Sequence, residues 1–187
     1  MTGKDPGVLG LYGFRNRKDY SYDNLFIANS SKVYEKTAWD ILGENGKKVI
    51  ILSVPLTYPP KKVNGCLITS FLTPNVKHNY TYPKFLRREI EQVVGEYMFD
   101  VPHFRTNAKE RLLKDIYKMT EKRFNLAGHL LKTKEWDFFM MVEIGVDRIH
   151  HGFWAFHDET HPKFVPGNPF KDAIKNYYKY IDTKIGE

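Results

Sequence analysis

Two nearly unbroken apolar runs constrain this chain more than any other feature: Lys48-Val-Ile-Ile-Leu-Ser-Val54 and the stretch from Trp136 to Ile144. Neither alternates as a strand with one wet face would, so both read as strands buried on two faces. The first stops at Pro55, and Pro59-Pro60 follows, because proline cannot donate to a sheet ladder. A short helix is expected just before it, over Thr37–Gly46, with Thr37 as its cap and Asn45-Gly46 at its end. A helix, a buried strand and a loop in that order mark an α/β protein. Two buried strands cannot cover themselves. Further strands must therefore hide in the apparent loops, or the sheet must extend into other polypeptide.

The rest of the chain reads less sharply. Residues 1–36 carry Gly, Asn, Asp, Ser and Tyr without a clear period and read mostly as loop. Residues 66–72 could be a third strand. A helix is expected from Tyr82 to about Glu96, with Pro83 at a tolerated early position. The longest helix should start near Asn107 and run to about Lys134, with Leu113, Ile116, Thr120, Phe124, Ala127 and Leu131 along its inner stripe. A last helix is expected from about Pro169 to Lys184, with Phe170, Ile174, Tyr177, Tyr178 and Ile181 on one side.

At 187 residues a single domain, 1–187, is expected. The net charge of +7 suits an anionic partner, although lysines on solvated helix faces explain it as well. No dense basic block or nucleic-acid motif appears, so specific nucleic-acid binding is not expected. Cys66 is the only cysteine, which rules out an internal disulfide and accords with a reducing compartment. Asn29-Ser-Ser31 and Asn79-Tyr-Thr81 match the glycosylation pattern, which is short enough to arise by chance. Met1–Gly7 has no apolar leader core, and no stretch approaches the length of a membrane span. A cytoplasmic protein is the expectation.

The chemistry concentrates where the second strand ends. Gly145 releases the chain into Asp147 and His151, four residues apart. Strand ends of this kind face ligand crevices in α/β proteins. If a helix begins near Val146, carboxylate and imidazole share one face, and both are ligands for zinc, manganese or iron. The plainer alternative is a capping Asp147 and a His151 that packs or meets solvent. His150 points away from His151 and reads as structural or as an outer-shell group. His157 and His161 lie in a loop where Asp158 could orient one of them. His78, His103 and His129 have no ligand-spaced companions. Glu143 aims either into the crevice or into a salt bridge, and the salt bridge is favoured.

Four segments occur in order: Thr2-Gly-Lys-Asp-Pro-Gly7; Val54-Pro-Leu-Thr-Tyr-Pro-Pro60 with Val63-Asn-Gly65; Leu72-Thr-Pro74; and Asp147-Arg-Ile-His-His151-Gly-Phe-Trp154. As an ordered set they resemble the type I phosphodiesterase/nucleotide pyrophosphatase family of the alkaline phosphatase superfamily, over nearly the whole chain. The resemblance implies a partial alkaline-phosphatase-like α/β sandwich, with a mostly parallel central sheet flanked by helices. It implies a phosphoester or phosphoanhydride hydrolase acting on a small molecule such as a nucleotide. The family uses two divalent metal ions, usually zinc, beside a Thr or Ser nucleophile, and manganese is the alternative metal. Its Asp-x-x-x-His metal motif falls on Asp147 and His151.

The family pattern also places a metal-binding Asp and the nucleophile before the Thr-Gly-Lys-Asp-Pro-Gly segment, upstream of Met1. Thr2 follows the nucleophile position and is not promoted to that role. A late Ser-Asp-His-Gly-type strand end and a further His fall beyond Glu187. The expectation is a chain truncated at both ends, without a catalytic nucleophile and with little activity alone. It could be a split-gene product whose complementary polypeptide supplies the missing strands, a mis-assigned reading frame, or a remnant. The competing reading is a non-catalytic interaction module that docks with a partner chain. A sulfatase or phosphomutase relative ranks lower. Residues 75–110, rich in aromatics, are the candidate lid or insert.

Overall fold

The computed structural model describes residues 1–187. In chain order the elements are α1 (Pro6–Leu9), β1 (Arg15–Arg17), β2 (Leu25–Ile27), a 3-10 turn (Ser30–Lys32), α2 (Ala38–Glu44), β3 (Val49–Leu52), β4 (Gly65–Ile68) and β5 (Thr81–Tyr82). They continue with α3 (Leu86–Val94), α4 (Lys109–Thr133), β6 (Phe138–Met141), α5 (Gly145–His157) and α6 (Ala173–Gly186). The chain divides into two compact units. Met1–Phe99 and Ala127–Val142 form the first, and Asp100–Leu126 and Glu143–Glu187 form the second.

The first unit holds a four-stranded sheet in the order β5-β4-β3-β6. β3 runs parallel to both β4 and β6, and the short β5 pairs antiparallel with β4. This is the α/β class marked by the apolar runs, with the mostly parallel sheet that the family resemblance implies. All four residues of β3 are buried, as a central parallel strand requires. Trp39, Val49, Ile51, Val54, Val63 and Leu67 form the core on one face. Gly65 faces Val49 across the β3–β4 ladder at φ +143°, and a Cβ there would overlap the Val49 carbonyl oxygen. Only glycine fits. α2 begins as anticipated: the Thr37 hydroxyl accepts the Asp40 N–H (3.3 Å), and the Asp40 carboxylate accepts the Thr37 N–H (2.9 Å), a reciprocal capping box.

Several expectations need correction. β6 is not buried on both faces; its four side chains are half-buried, because only β3 flanks it. Residues 1–36 are mostly loop, as expected, but β1 and β2 within them form a two-stranded antiparallel ribbon. Strands of three residues are too short to show a period, and their connection is closed by the Asp19 carboxylate on the Ser21 N–H and the Asn24 amide. Tyr82 does not start a helix. It pairs with Leu67, and α3 begins at Leu86, consistent with the bias of a pre-proline residue away from helical backbone.

α4 matches its expected span within two residues, but its buried stripe is rotated. Leu112, Ile116, Met119, Thr120, Arg123, Leu126, Ala127 and Leu130 are buried, whereas Leu113, Phe124 and Leu131 are only half-buried. α6 starts at Ala173, later than expected, because Asn168 takes the Phe170 N–H and donates to the carbonyls of Phe156 and Val165 in a turn. Of the 75–110 stretch, residues 75–99 belong to the first unit and supply β5 and α3, while residues 100–110 belong to the second.

In the second unit α5 packs against α6. Ile149 and Phe153 of α5 and Ile174, Tyr177 and Ile181 of α6 are buried. Phe153, Phe156 and Phe170 meet edge-on or tilted with ring centroids 5.3–6.0 Å apart. Such pairs add about 0.5–1.5 kcal/mol each beyond burial. Gly152 lies against Leu112, where a Cβ would come within 3.1 Å of the Leu112 side chain.

Candidate metal-binding site

α5 opens at Gly145, one residue from the start expected for a helix carrying Asp147 and His151. The Glu143 carboxylate accepts the Gly145 N–H at 2.6 Å and so satisfies one of the free amides of the first turn. The same oxygen accepts Arg123 Nη1 at 3.1 Å and the Thr120 hydroxyl at 3.3 Å. The Thr120 hydroxyl also bonds the Tyr177 hydroxyl at 2.7 Å. A Cβ on Gly145 would collide with the Tyr177 hydroxyl, so glycine is required where the helix meets this cluster. Burial, and then the Glu143 charge, push the Tyr177 phenol far above its usual pKa. Glu143 therefore forms the salt bridge favoured from sequence. Arg123, its partner, was not anticipated, although it falls in register with Ile116, Thr120 and Ala127 on the buried stripe of α4.

In the first turn of α5, Asp147 Oδ1 lies 3.4 Å from Nε2 of His151, which is one turn further along. The two side chains are 50% and 68% exposed, so their facing atoms open to solvent. An acidic side chain in the first turn is favoured by the helix dipole. Two ligands at zinc-like bond lengths in a tetrahedral arrangement stand roughly 3.3 Å apart, and the observed separation fits that spacing. The pair brings one oxygen and one nitrogen donor; no group of three or more His, Cys, Asp or Glu side chains is arranged to hold a metal ion.

The other Asp147 oxygen is occupied. Arg148 Nη1 donates to Asp147 Oδ2 at 2.6 Å. The same guanidinium grips Asp100 with a two-pronged bond, Nε to Oδ1 at 2.7 Å and Nη2 to Oδ2 at 2.6 Å. It also lies over the Phe104 ring, 5.0 Å from the centroid. The hydrogen bonds to Asp100, together with the Asp100 and Asp147 charges, raise the Arg148 pKa against the effect of burial. Neither Asp100 nor Arg148 was singled out from sequence. Arginine directly after the candidate ligand was the available signal, and a carboxylate 48 positions away has none.

Five of the other histidines have partners outside the pair. His150 Nε2 meets the Tyr178 hydroxyl at 3.1 Å and packs on Trp154. His157 Nδ1 meets the Lys171 carbonyl at 3.1 Å, and His161 Nδ1 accepts the Lys163 N–H. Asp158 accepts the Trp154 indole and the Thr160 N–H and hydroxyl. In the first unit His129 Nε2 is 2.7 Å from Glu89, and His78 Nδ1 is 3.1 Å from Asn75. Cys66 is buried, and that burial raises its thiol pKa, so it is a poor thiolate ligand.

The other family-like segments shape loops of the first unit. Asp5 caps α1 through the Val8 N–H (3.1 Å). Thr57 closes the turn after β3 by donating to the Val54 carbonyl at 2.7 Å, and Leu56 there has φ +64°. Thr73 bonds the Thr69 hydroxyl (2.7 Å) and the Ser70 carbonyl (2.6 Å). No helix is long and apolar enough to cross a membrane.

Comparison with known proteins bears on what these segments mean. No curated protein matches the chain significantly, and no solved structure does. The sequence model describing type I phosphodiesterase / nucleotide pyrophosphatase, in contrast, matches residues 1–187, the whole chain. The chain belongs to the type I phosphodiesterase/nucleotide pyrophosphatase family.

Proposed function

We propose that this protein is part of a metal-dependent hydrolase of phosphoester or phosphoanhydride bonds, with a small phosphorylated molecule such as a nucleotide as substrate. Family membership supports the hydrolase class. The observation that carries the metal dependence is the 3.4 Å approach of Asp147 Oδ1 to His151 Nε2 on the first turns of α5. Asp147 and His151 would hold one divalent ion, zinc in preference and manganese as the alternative. Such an ion supplies a Lewis acid for a phosphoryl oxygen and lowers the pKa of bound water. Asp147 contributes one carboxylate oxygen, and His151 contributes its Nε2 lone pair in the neutral form. Two donors leave a catalytic site open, and in this reading a complementary polypeptide would add further donors.

β6 is where a complementary polypeptide could dock on the first unit. It is an edge strand with half-buried apolar side chains, suited to strand addition by a second segment. The same edge favours the competing reading, in which the protein is a non-catalytic module that docks with a partner. A cytoplasmic location accords with the single buried cysteine.

Metal uptake and turnover test the reading. Zinc competition against a chromophoric chelator should show uptake by the wild type that is lost in both Asp147→Ala and His151→Ala. With a chromogenic phosphodiester and added zinc or manganese, the 187-residue chain should turn over little alone. Equal zinc uptake by the wild type and both variants would remove the Asp147/His151 site and leave the docking module in its place. Robust turnover by the chain alone would overturn the need for a second polypeptide.

A further inference from the structure

We propose that Arg148, itself held by Asp100, is the positioning residue for the Asp147 carboxylate and makes Asp147 a one-oxygen ligand. This rests on the metal reading of Asp147 and His151. Asp147 sits on an exposed helix face, where a free carboxylate would rotate about its last torsion and offer either oxygen. Its Oδ2 is instead taken by Arg148 Nη1 at 2.6 Å, which leaves Oδ1 toward His151. An arginine tied only to Asp147 would move with it. This one is anchored by both prongs on Asp100 at 2.6 and 2.7 Å and by the Phe104 ring beneath it. Asp100 is fixed in turn, since its Oδ1 accepts the Val101 N–H at 2.8 Å.

The geometry asks for arginine specifically. The guanidinium spends Nε and Nη2 on Asp100 and still has Nη1 for Asp147. The single nitrogen of lysine cannot reproduce that planar three-point grip. The Arg148 side chain is 16% exposed against 50% for Asp147, so the clamp is the sheltered part and the ligand the accessible one. Asp100 and Phe104, on the segment before α4, thereby become structural support for the site.

The test is a zinc titration of the full chain followed through the imidazole resonances of His151 by NMR, with His151→Ala assigning them. In the wild type those resonances should shift saturably. Partners that orient a metal ligand typically contribute about 10–100-fold to metal affinity. Asp100→Asn and Arg148→Gln should each weaken zinc binding by about that factor while the His151 resonances still titrate. Arg148→Lys should not restore it. Asp100→Asn is isosteric and keeps the test available should Arg148→Gln not fold. Wild-type zinc affinity in Asp100→Asn and in a folded Arg148 variant, or full rescue by lysine, would overturn the clamp and leave the metal site standing. Absence of any zinc-dependent shift at His151 in the wild type would overturn the metal site and the clamp together.

Discussion

Replacing Arg123 with methionine tests how α5 is held at its start. The Arg123 and Glu143 side chains are 1% and 9% exposed and meet at 3.1 Å. Glu143 Oε1 receives Arg123, Thr120 and the Gly145 N–H, while Oε2 is buried without a partner. Arg123→Met would leave a buried carboxylate served by two neutral donors. Stripping one member from a buried pair costs about 3–5 kcal/mol, far more than the pair contributes over an apolar substitute. At roughly 2–4 °C per kcal/mol for a chain of this size, the Tm should fall by about 6–20 °C in thermal unfolding followed by circular dichroism. The double variant Arg123→Met/Glu143→Gln removes both charges and keeps an acceptor for Gly145. It should return to within about 1–2 kcal/mol of wild type, the scale of ordinary hydrogen bonds. A loss under about 1 kcal/mol in the single variant would refute the buried-charge account. A double variant no more stable than the single one would refute it as well.

Two further outcomes are expected. Thr37→Ala removes the hydroxyl half of the α2 capping box and should cost about 0.5–2 kcal/mol in urea unfolding; an unchanged midpoint would show that the cap contributes nothing. Burial alone would raise the Glu89 carboxyl, but hydrogen bonds from Lys134 and His129 outweigh it and hold the pKa below the usual glutamate value. Its contribution is therefore complete above the unfolded pKa of roughly 4.3 and is lost as pH falls through the lower folded value. Glu89→Gln should flatten the acid limb of the stability profile in that window; an unaltered limb would contradict it.

The apolar runs around Val49–Leu52 and Phe138–Met141 and the Thr37 cap are local signals that made the α/β class, β3 and α2 legible; the span of α4 was legible from its three- and four-residue spacing, and α5 only as the condition that a helix begin near Val146. So was the Asp147/His151 pair, because a four-residue step on a helix sets its own geometry. The helix puts both side chains on one face, and their rotamers then set the 3.4 Å approach. Other features depend on neighbours that sequence spacing does not reveal. β6 lies at a sheet edge because only β3 pairs with it. Arg123 looks like one more cation on a basic helix until Glu143 arrives from 20 positions away. Arg148 becomes a clamp only when Asp100 is brought against it. Local patterning marked which segments become helices and strands; long-range packing decided which faces turn inward, as the rotated stripe of α4 shows, and which charges those faces could bury, because an ion leaves water only where its partner already stands.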